Sequence, residues 1–178
     1  MKEDAVLYGN QYIQLLIKEL NSISTERITE IGTALRNAQQ NKKRVFVFGN
    51  GGSAATASHM ACDLGKNTRQ PEEPRLKVIS LVDSLAGLTA YANDEGYENV
   101  FSEPLLSQAE AGDIAIAISG SGNSPNVLKG IQTARQMGLK TIGLSGFEGG
   151  KLKNMVDIIM LMEIVSSMLV RKNGTISF

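Results

Sequence analysis

A strand, a glycine turn and a helix follow one another directly between residues 45 and 66, and this unit constrains the fold more than any other stretch. Four consecutive apolar residues, Val45 to Phe48, predict a short buried strand. The glycine-rich turn Gly49-Asn50-Gly51-Gly52-Ser53 lets the backbone approach a ligand closely. Small and apolar residues then predict a helix, whose first amides and positive dipole end attract anions. The unit therefore predicts an anion site, with a phosphate as its occupant.

Strands and helices alternate along the rest of the chain. Each predicted strand is a short apolar run, which is typical of a parallel sheet buried on both faces. The pattern predicts an α/β fold, a three-layer doubly wound five-stranded parallel sheet, preceded by extra N-terminal helices. We expect Asn93 to Tyr97 to end the fourth helix and Ser124 to cap the sixth. The predicted strands are 44–48, 77–81, 114–118, 140–144 and 156–162, and the predicted helices are 6–23, 24–41, 53–66, 84–92, 100–109 and 126–137.

The chain of 178 residues is expected to form one domain, spanning 1–178. Its first helix carries apolar residues on more than one face, which is typical of a helix that packs against more than its own domain. We therefore expect residues 3–41 to take part in subunit contacts.

Charge and composition exclude several classes of partner. Eighteen basic residues balance eighteen acidic ones, which argues against nucleic acid because binding to its phosphates needs a basic surplus. Cys62 is the one cysteine, so no disulfide framework is expected, as suits a reducing compartment. The charged N-terminus lacks the apolar core of a signal peptide, and no apolar run reaches transmembrane length. We expect a cytoplasmic protein without a membrane partner.

Two kinds of phosphate could occupy the predicted site. Residues 49–54 fit the Gly-x-Gly-x-x-Ala pattern of dinucleotide folds, and Asp83 follows the second strand where a ribose-binding acid would lie. A P-loop is excluded, because no Gly-Lys-Ser/Thr follows. Ser119, Ser121 and Ser124, however, place three hydroxyls on a second turn that opens a helix. Together with Ser53 they suit a terminal phosphate monoester, although they could also simply cap a helix. We therefore expect no nucleotide cofactor.

Four segments in order carry a resemblance to the sugar isomerase (SIS) domain family, and within it to the phosphoheptose isomerases. They begin at Phe48, Ser58, Tyr91 and Ile118 and read FGNGGSA, SHMACDL, YANDEGY and ISGSGNSPN. The resemblance implies a flavodoxin-like sheet and a homotetramer with active sites between subunits. It also implies conversion of sedoheptulose 7-phosphate to a heptose 7-phosphate for cell-surface polysaccharide.

The resemblance also assigns roles to individual residues. The phosphate would be held by the two loops, and the sugar by neighbouring polar side chains. His59 falls at the family's zinc-binding histidine and Asp63 at its catalytic glutamate. The phosphate loops comprise Gly51, Gly52, Ser53, Ser119, Gly120, Ser121 and Ser124, and the sugar site comprises Asn50, Asn93 and Asp94.

His59 and Asp63 are the candidates for acid–base chemistry. They are four residues apart on a predicted helix and share a face just after the anion loop. Isomerisation through an enediol needs a base near two neighbouring carbons, and Asp63 is the best candidate. His59 could orient the substrate or bind zinc, with Asp63 as a second ligand. The pair could instead be a solvated helical pair.

This chain departs from the family's pattern in two ways. Asp63 is one methylene shorter than the family's glutamate, which displaces a base by about 1 Å. The family's second histidine has no counterpart in residues 163–178, and His59 is the only histidine in the sequence. A zinc site with two histidines cannot form within one subunit. The sequence therefore predicts a phosphosugar isomerase, with a non-catalytic phosphosugar-binding or regulatory module as the alternative.

Overall fold

The computed structural model describes residues 2–161 of the chain. Two helices, α1 and α2, precede the first strand, and strands and helices then alternate. Short 3-10 turns occupy Tyr97–Asn99 and Leu152–Asn154. The helices are α1 Lys2–Ser22, α2 Thr25–Gln40, α3 Gly52–Lys66, α4 Leu85–Asp94, α5 Ser102–Gln108 and α6 Pro125–Gln136; the strands are β1 Arg44–Gly49, β2 Lys77–Ser80, β3 Ile114–Ser119, β4 Lys140–Ser145 and β5 Ile158–Leu161.

The five strands form one parallel sheet in the order β2-β1-β3-β4-β5, which confirms the predicted flavodoxin-like architecture. The order reverses at β1, which lies between β2 and β3. In such sheets ligands bind beyond the carboxyl ends of the strands, at the point where the order reverses. The turns after β1 and β3 lie side by side there.

The sheet is buried on both faces because its central strands β1 and β3 are apolar throughout residues 45–48 and 114–118. Val45 and Val47 of β1 pack in one core with α2 and α3. Phe46 and Phe48 point the other way and pack against α5 and α6. Since successive side chains of a strand alternate between faces, one apolar run supplies both cores. The three-layer arrangement predicted from the sequence is therefore confirmed.

Most predicted elements agree with the structure to within a few residues. The largest difference is at the first helix, since α1 begins at Lys2 and not at residue 6, while α4 ends at Asp94, inside the segment 93–97 that was predicted to end it. The helix ends only before Gly96, whose φ of 90° is left-handed. The predicted fifth strand began at residue 156, whereas β5 begins at Ile158. Its predicted last residue, 162, and the tail 163–178 lie outside the described residues.

Helix α1 presents apolar side chains to solvent. Ile13, Ile17 and Leu20 are about half exposed, and so are Val6 and Leu7 nearer its start. Scattered exposed apolar residues are ordinary, but with Leu16 there are six on this one helix, and they form a surface that favours association. Within residues 2–161, no helix combines the length and the apolar character needed to cross a bilayer.

Candidate functional site

Two loops meet at the carboxyl end of the sheet and form the centre of the candidate site. The glycine loop, residues 49–53, follows β1, and the serine loop, residues 119–124, follows β3. Gly49 is paired with Ile118 in the sheet. A Cβ at Gly49 would lie 2.5 Å from the Ile118 carbonyl oxygen, so only glycine permits this approach. The two loops predicted to hold phosphate are thus brought together.

The glycine loop turns the chain so that helix α3 begins with its amides directed at the site. Gly51 adopts φ 55° and ψ −122°, a conformation that is strained for residues with a Cβ. Ser53 N donates to the Asn50 carbonyl at 2.9 Å. Within residues 2–161, no backbone acceptor is found for the amides of Gly51 and Gly52. Two amides at the start of a 15-residue helix are therefore available to an anion.

The serine loop supplies hydroxyl groups. Ser119 Oγ and Ser124 Oγ lie 3.3 Å apart, within hydrogen-bond distance. Ser124 occupies the N-cap position of α6, as predicted, but its side chain makes no capping bond, because its hydroxyl faces Ser119 instead. Ser121 is exposed, and its Oγ accepts a hydrogen bond from Asn123 N at 3.2 Å. Hydroxyls at two ends of this turn can therefore rotate to donate to one anion.

A third loop, which follows β4, is hydrogen-bonded to the serine loop. Ser145 Oγ donates to the Ser119 carbonyl at 2.7 Å, and Gly146 N donates to the Gly120 carbonyl at 3.0 Å. Leu152 N donates to the Gly122 carbonyl at 3.0 Å. Sequence reasoning treated the segment after β4 only as a connection. The contact could not be found from spacing, since it joins residues more than twenty positions apart.

Side-chain amides join the two loops directly. Asn50 Nδ2 donates to Asn126 Oδ1 at 2.9 Å, and Asn126 Nδ2 donates to Asn50 Oδ1 at 2.8 Å. Tyr97 OH donates to the same Asn50 oxygen at 3.1 Å. Asn126 is 2% exposed and lies in the first turn of α6. Asn126 and Tyr97 stand at the ends of two of the segments that carry the family resemblance, but sequence reasoning gave neither a role.

His59 and Asp63 share one exposed face of α3, as predicted. His59 Nε2 lies 3.1 Å from Asp63 Oδ2, and their side chains are 77% and 51% exposed. The other carboxylate oxygen accepts from Asn67 Nδ2 at 3.0 Å. Asp63 is thus held between the side chains one turn before and one turn after it. With about four lone-pair sites on a carboxylate, it keeps capacity to accept a further proton.

Asn93 and Asp94 are exposed in the last turn of α4. Asn93 Nδ2 donates to Asp94 Oδ1 at 2.7 Å. Tyr97, three residues after Asp94, is the nearby side chain that reaches the glycine loop. The part that Asn93 and Asp94 play in binding a sugar stays a prediction.

The possible zinc site consists of few ligands. Within residues 2–161, no group of three or more His, Cys, Asp or Glu side chains is placed to hold a metal ion. His59 and Asp63 offer two ligand atoms, whereas zinc sites take three or four protein ligands. The described residues of one chain therefore do not fit a zinc ion.

Comparisons with known proteins agree on one family. The sequence profile of the SIS domain matches residues 8–146. The phosphoheptose isomerase of Chlorobaculum parvum is 37% identical over 161 residues, which cover 90% of this chain and 77% of that protein. A solved phosphoheptose isomerase from Francisella tularensis superposes with a TM-score of 0.82 at 29% identity, covering 92% and 87% of the two chains. That of Neisseria gonorrhoeae gives 0.78 at 28%, covering 89% and 83%.

Proposed function

The chain belongs to the SIS domain family, and we propose that it is a phosphosugar isomerase that interconverts sedoheptulose 7-phosphate and an aldoheptose 7-phosphate. The observation that carries the proposal is the meeting of the glycine and serine loops at one end of the sheet. Two helix N-termini and several hydroxyls converge there without a basic side chain in either loop. Such a site suits a phosphate monoester, whose terminal oxygens each accept hydrogen bonds.

Helix α3 extends from the phosphate loop to the candidate base. Ser53 and Asp63 are ten residues apart, so about 15 Å of helix axis separates them at about 1.5 Å per residue. Helical side chains lean toward the N-terminus, which shortens the distance that a substrate must span. A phosphate anchored in the loops would place the far end of its sugar near Asp63 only if the sugar is long. This spacing favours a seven-carbon phosphate over a triose phosphate.

Asp63 performs the proton transfer in the proposed reaction. Its carboxylate takes the proton from C1 of the ketose while the C2 carbonyl oxygen gains a proton, which gives an enediol. The same carboxylate then returns its proton to C2, and the C1 hydroxyl loses its proton to become the aldehyde. Both hydroxyl protons exchange with solvent, so atoms and electrons balance without an oxidant. His59, whose Nε2 lies 3.1 Å from Asp63 Oδ2, orients the carboxylate. No step is assigned to zinc.

The proposed enzyme is cytoplasmic and forms a homotetramer through its N-terminal helices. The zero net charge and the absence of a membrane-spanning helix in residues 2–161 accord with a small-molecule substrate. The exposed apolar residues of α1 support the assembly. Association would remove these side chains from water, which is favourable by about 25 cal/mol per Å² of apolar surface.

Proton NMR of sedoheptulose 7-phosphate with the protein in heavy water tests the proposal. With the unmodified chain we expect deuterium to enter at C1 of the ketose and at C2 of the aldose. With Asp63→Asn we expect no deuterium at either carbon. Glu30→Gln is the matched control, because Glu30 is an exposed helical carboxylate that also bonds a basic neighbour, Arg27. This control should exchange at the unmodified rate. A parallel run with EDTA reports whether exchange needs a metal.

The same experiment distinguishes the proposed isomerase from the alternative, a non-catalytic phosphosugar-binding module. If the phosphorus resonance of the sugar shifts on binding but no deuterium enters, the chain binds phosphosugars without isomerising them. A non-catalytic phosphosugar-binding module would then replace the proposed enzyme. If deuterium enters equally with Asp63→Asn, the enediol chemistry stands but Asp63 is not its base.

A further inference from the structure

We infer that Asn126 and Tyr97 are positioning residues, which fix Asn50 as a hydrogen-bond donor to the sugar phosphate. This inference rests on the proposed function for the identity of the ligand. Asn50 lies in the glycine loop, whereas Asn126 lies 76 residues later, in the first turn of α6. Their two amides bond each other in both directions, at 2.9 and 2.8 Å.

A backbone amide sets the orientation of this pair. Val127 N donates to Asn126 Oδ1 at 3.0 Å. A backbone N–H can only donate, so the oxygen of Asn126, not its nitrogen, must face Val127. The Asn126 nitrogen is consequently directed at Asn50, and only the oxygen of Asn50 can accept from it. The amide orientation of Asn50 therefore follows from the main chain of α6.

The orientation decides what Asn50 can offer a ligand. Its Oδ1 already accepts from Asn126 Nδ2 and from Tyr97 OH at 3.1 Å, which occupies both lone pairs. Its Nδ2 gives one hydrogen to Asn126 and keeps a second one. Within residues 2–161, no side chain or carbonyl accepts that second hydrogen. Asn50 is thus presented as a donor and cannot serve as an acceptor.

The burial of Asn126 makes it costly to leave any of its hydrogen bonds unformed. Asn126 is 2% exposed, so its amide has no access to bulk water and must be satisfied by protein groups. A polar side chain at this position of a helix otherwise stabilises less than an apolar one of the same size. The network therefore serves to hold the Asn50 side chain in one orientation. A donor so placed recognises a hydroxyl oxygen of the sugar next to the phosphate loops.

A double-mutant cycle with Asn50 tests the inference. Asn126→Ala, Tyr97→Phe and Asn50→Ala are made singly, and each of the first two is combined with Asn50→Ala. Dissociation constants are measured by calorimetry for sedoheptulose 7-phosphate and, separately, for inorganic phosphate. Turnover is recorded alongside. Thr133→Ala is the matched control, because Thr133 is also a buried polar residue of α6.

We expect Asn126→Ala to raise the dissociation constant of the sugar phosphate about tenfold, the value of one well-made hydrogen bond. Tyr97→Phe should raise it about threefold, because the first partner of Asn50 remains. In the Asn50→Ala background neither change should add a further loss. Binding of inorganic phosphate, which needs only the loops, should change less than about twofold.

The inference would be overturned if Asn126→Ala weakened sugar phosphate binding equally in the unmodified chain and in the Asn50→Ala chain. Asn126 would then act on the fold and not through Asn50. A uniform loss for both ligands would overturn it as well. If Asn126→Ala fails to fold, the cycle with Tyr97→Phe decides, because Tyr97 is 53% exposed and tolerates the change. If the chain binds the sugar phosphate without turnover, the isomerase proposal fails, but the binding cycle still tests the role of Asn126.

Discussion

Gly122 is the point at which the serine loop and the loop after β4 touch, backbone against backbone. A Cβ at Gly122 would lie 1.9 Å from the Gly149 carbonyl oxygen and 3.0 Å from Gly150 N. Real Cβ atoms essentially never approach closer than 3.0 Å, so one loop would have to move by more than 1 Å. Neither neighbour is a flexible side chain that could rotate away. Gly122→Ala should therefore displace the serine loop.

Two costs add at this position. Gly122 has φ 63°, and a left-handed residue with a Cβ costs roughly 1–2 kcal/mol. Overpacking against rigid neighbours adds roughly 1–3 kcal/mol. Gly138 offers a matched control, because its φ of 77° carries the first cost while its Cβ would meet only Ala111 at an ordinary 3.5 Å. The difference between Gly122→Ala and Gly138→Ala isolates the clash.

Urea unfolding and phosphate binding followed by phosphorus NMR measure the two consequences. We expect Gly138→Ala to lower the free energy of unfolding by roughly 1–2 kcal/mol and to leave phosphate binding unchanged. Gly122→Ala should lower it by roughly 2–5 kcal/mol and weaken phosphate binding at least about tenfold, as its serine hydroxyls move. If the two variants lose equal stability and both bind phosphate normally, the serine loop is not held by this contact.

Two further predictions concern stability against pH and assembly. Burial raises the pKa of Asp157, but hydrogen bonds from the Thr141 amide and hydroxyl and two nearby basic side chains lower it more, so its pKa lies below the usual value of 3.8. The Asp157 carboxylate therefore stabilises the fold above its unfolded pKa, and this contribution is lost as the pH falls. In urea unfolding, Asp157→Asn should lower the free energy of unfolding at pH 7, and the difference from the unmodified chain should shrink as the pH falls toward 3. Ile13→Glu on α1 should give a smaller species in sedimentation velocity, whereas Leu85→Glu, at an even more exposed apolar position on α4, should not. If the Ile13→Glu species is unchanged in size, α1 is excluded from the interface.

The layered fold could be predicted because each strand is a continuous apolar run and each helix begins at a recognisable turn. The order of the elements along the chain followed from that alternation, whereas the flavodoxin-like sheet was implied by the family resemblance. Helix α4 ends inside the predicted segment 93–97, two residues after its predicted last residue, 92. Asn93 and Asp94 are poor helix formers, but on an exposed face they only weaken a helix, whereas Gly96 with its left-handed backbone ends it.

The site was predictable in its parts but not in its connections. The sequence placed hydroxyls after β1 and β3, and the pairing of these strands brings them together. It could not show that Ser124 turns its hydroxyl to Ser119, because a Ser before Pro is also an ordinary helix cap. Nor could spacing reveal the Asn50–Asn126 pair, since a contact between positions 76 residues apart depends on the folded sheet.

The exposure of the candidate base links catalysis to assembly. Asp63 and His59 face solvent on α3, with half or more of each side chain exposed. An enediol needs protection from water, and a carboxylate in water gains little from hydrogen bonds that are strong only in a dry site. In one chain alone, the phosphate loops are therefore already formed, whereas the candidate base is exposed to water. On the proposed function, the association that buries the apolar face of α1 must also cover this face of α3, so that turnover should be lost with dissociation while phosphate binding persists.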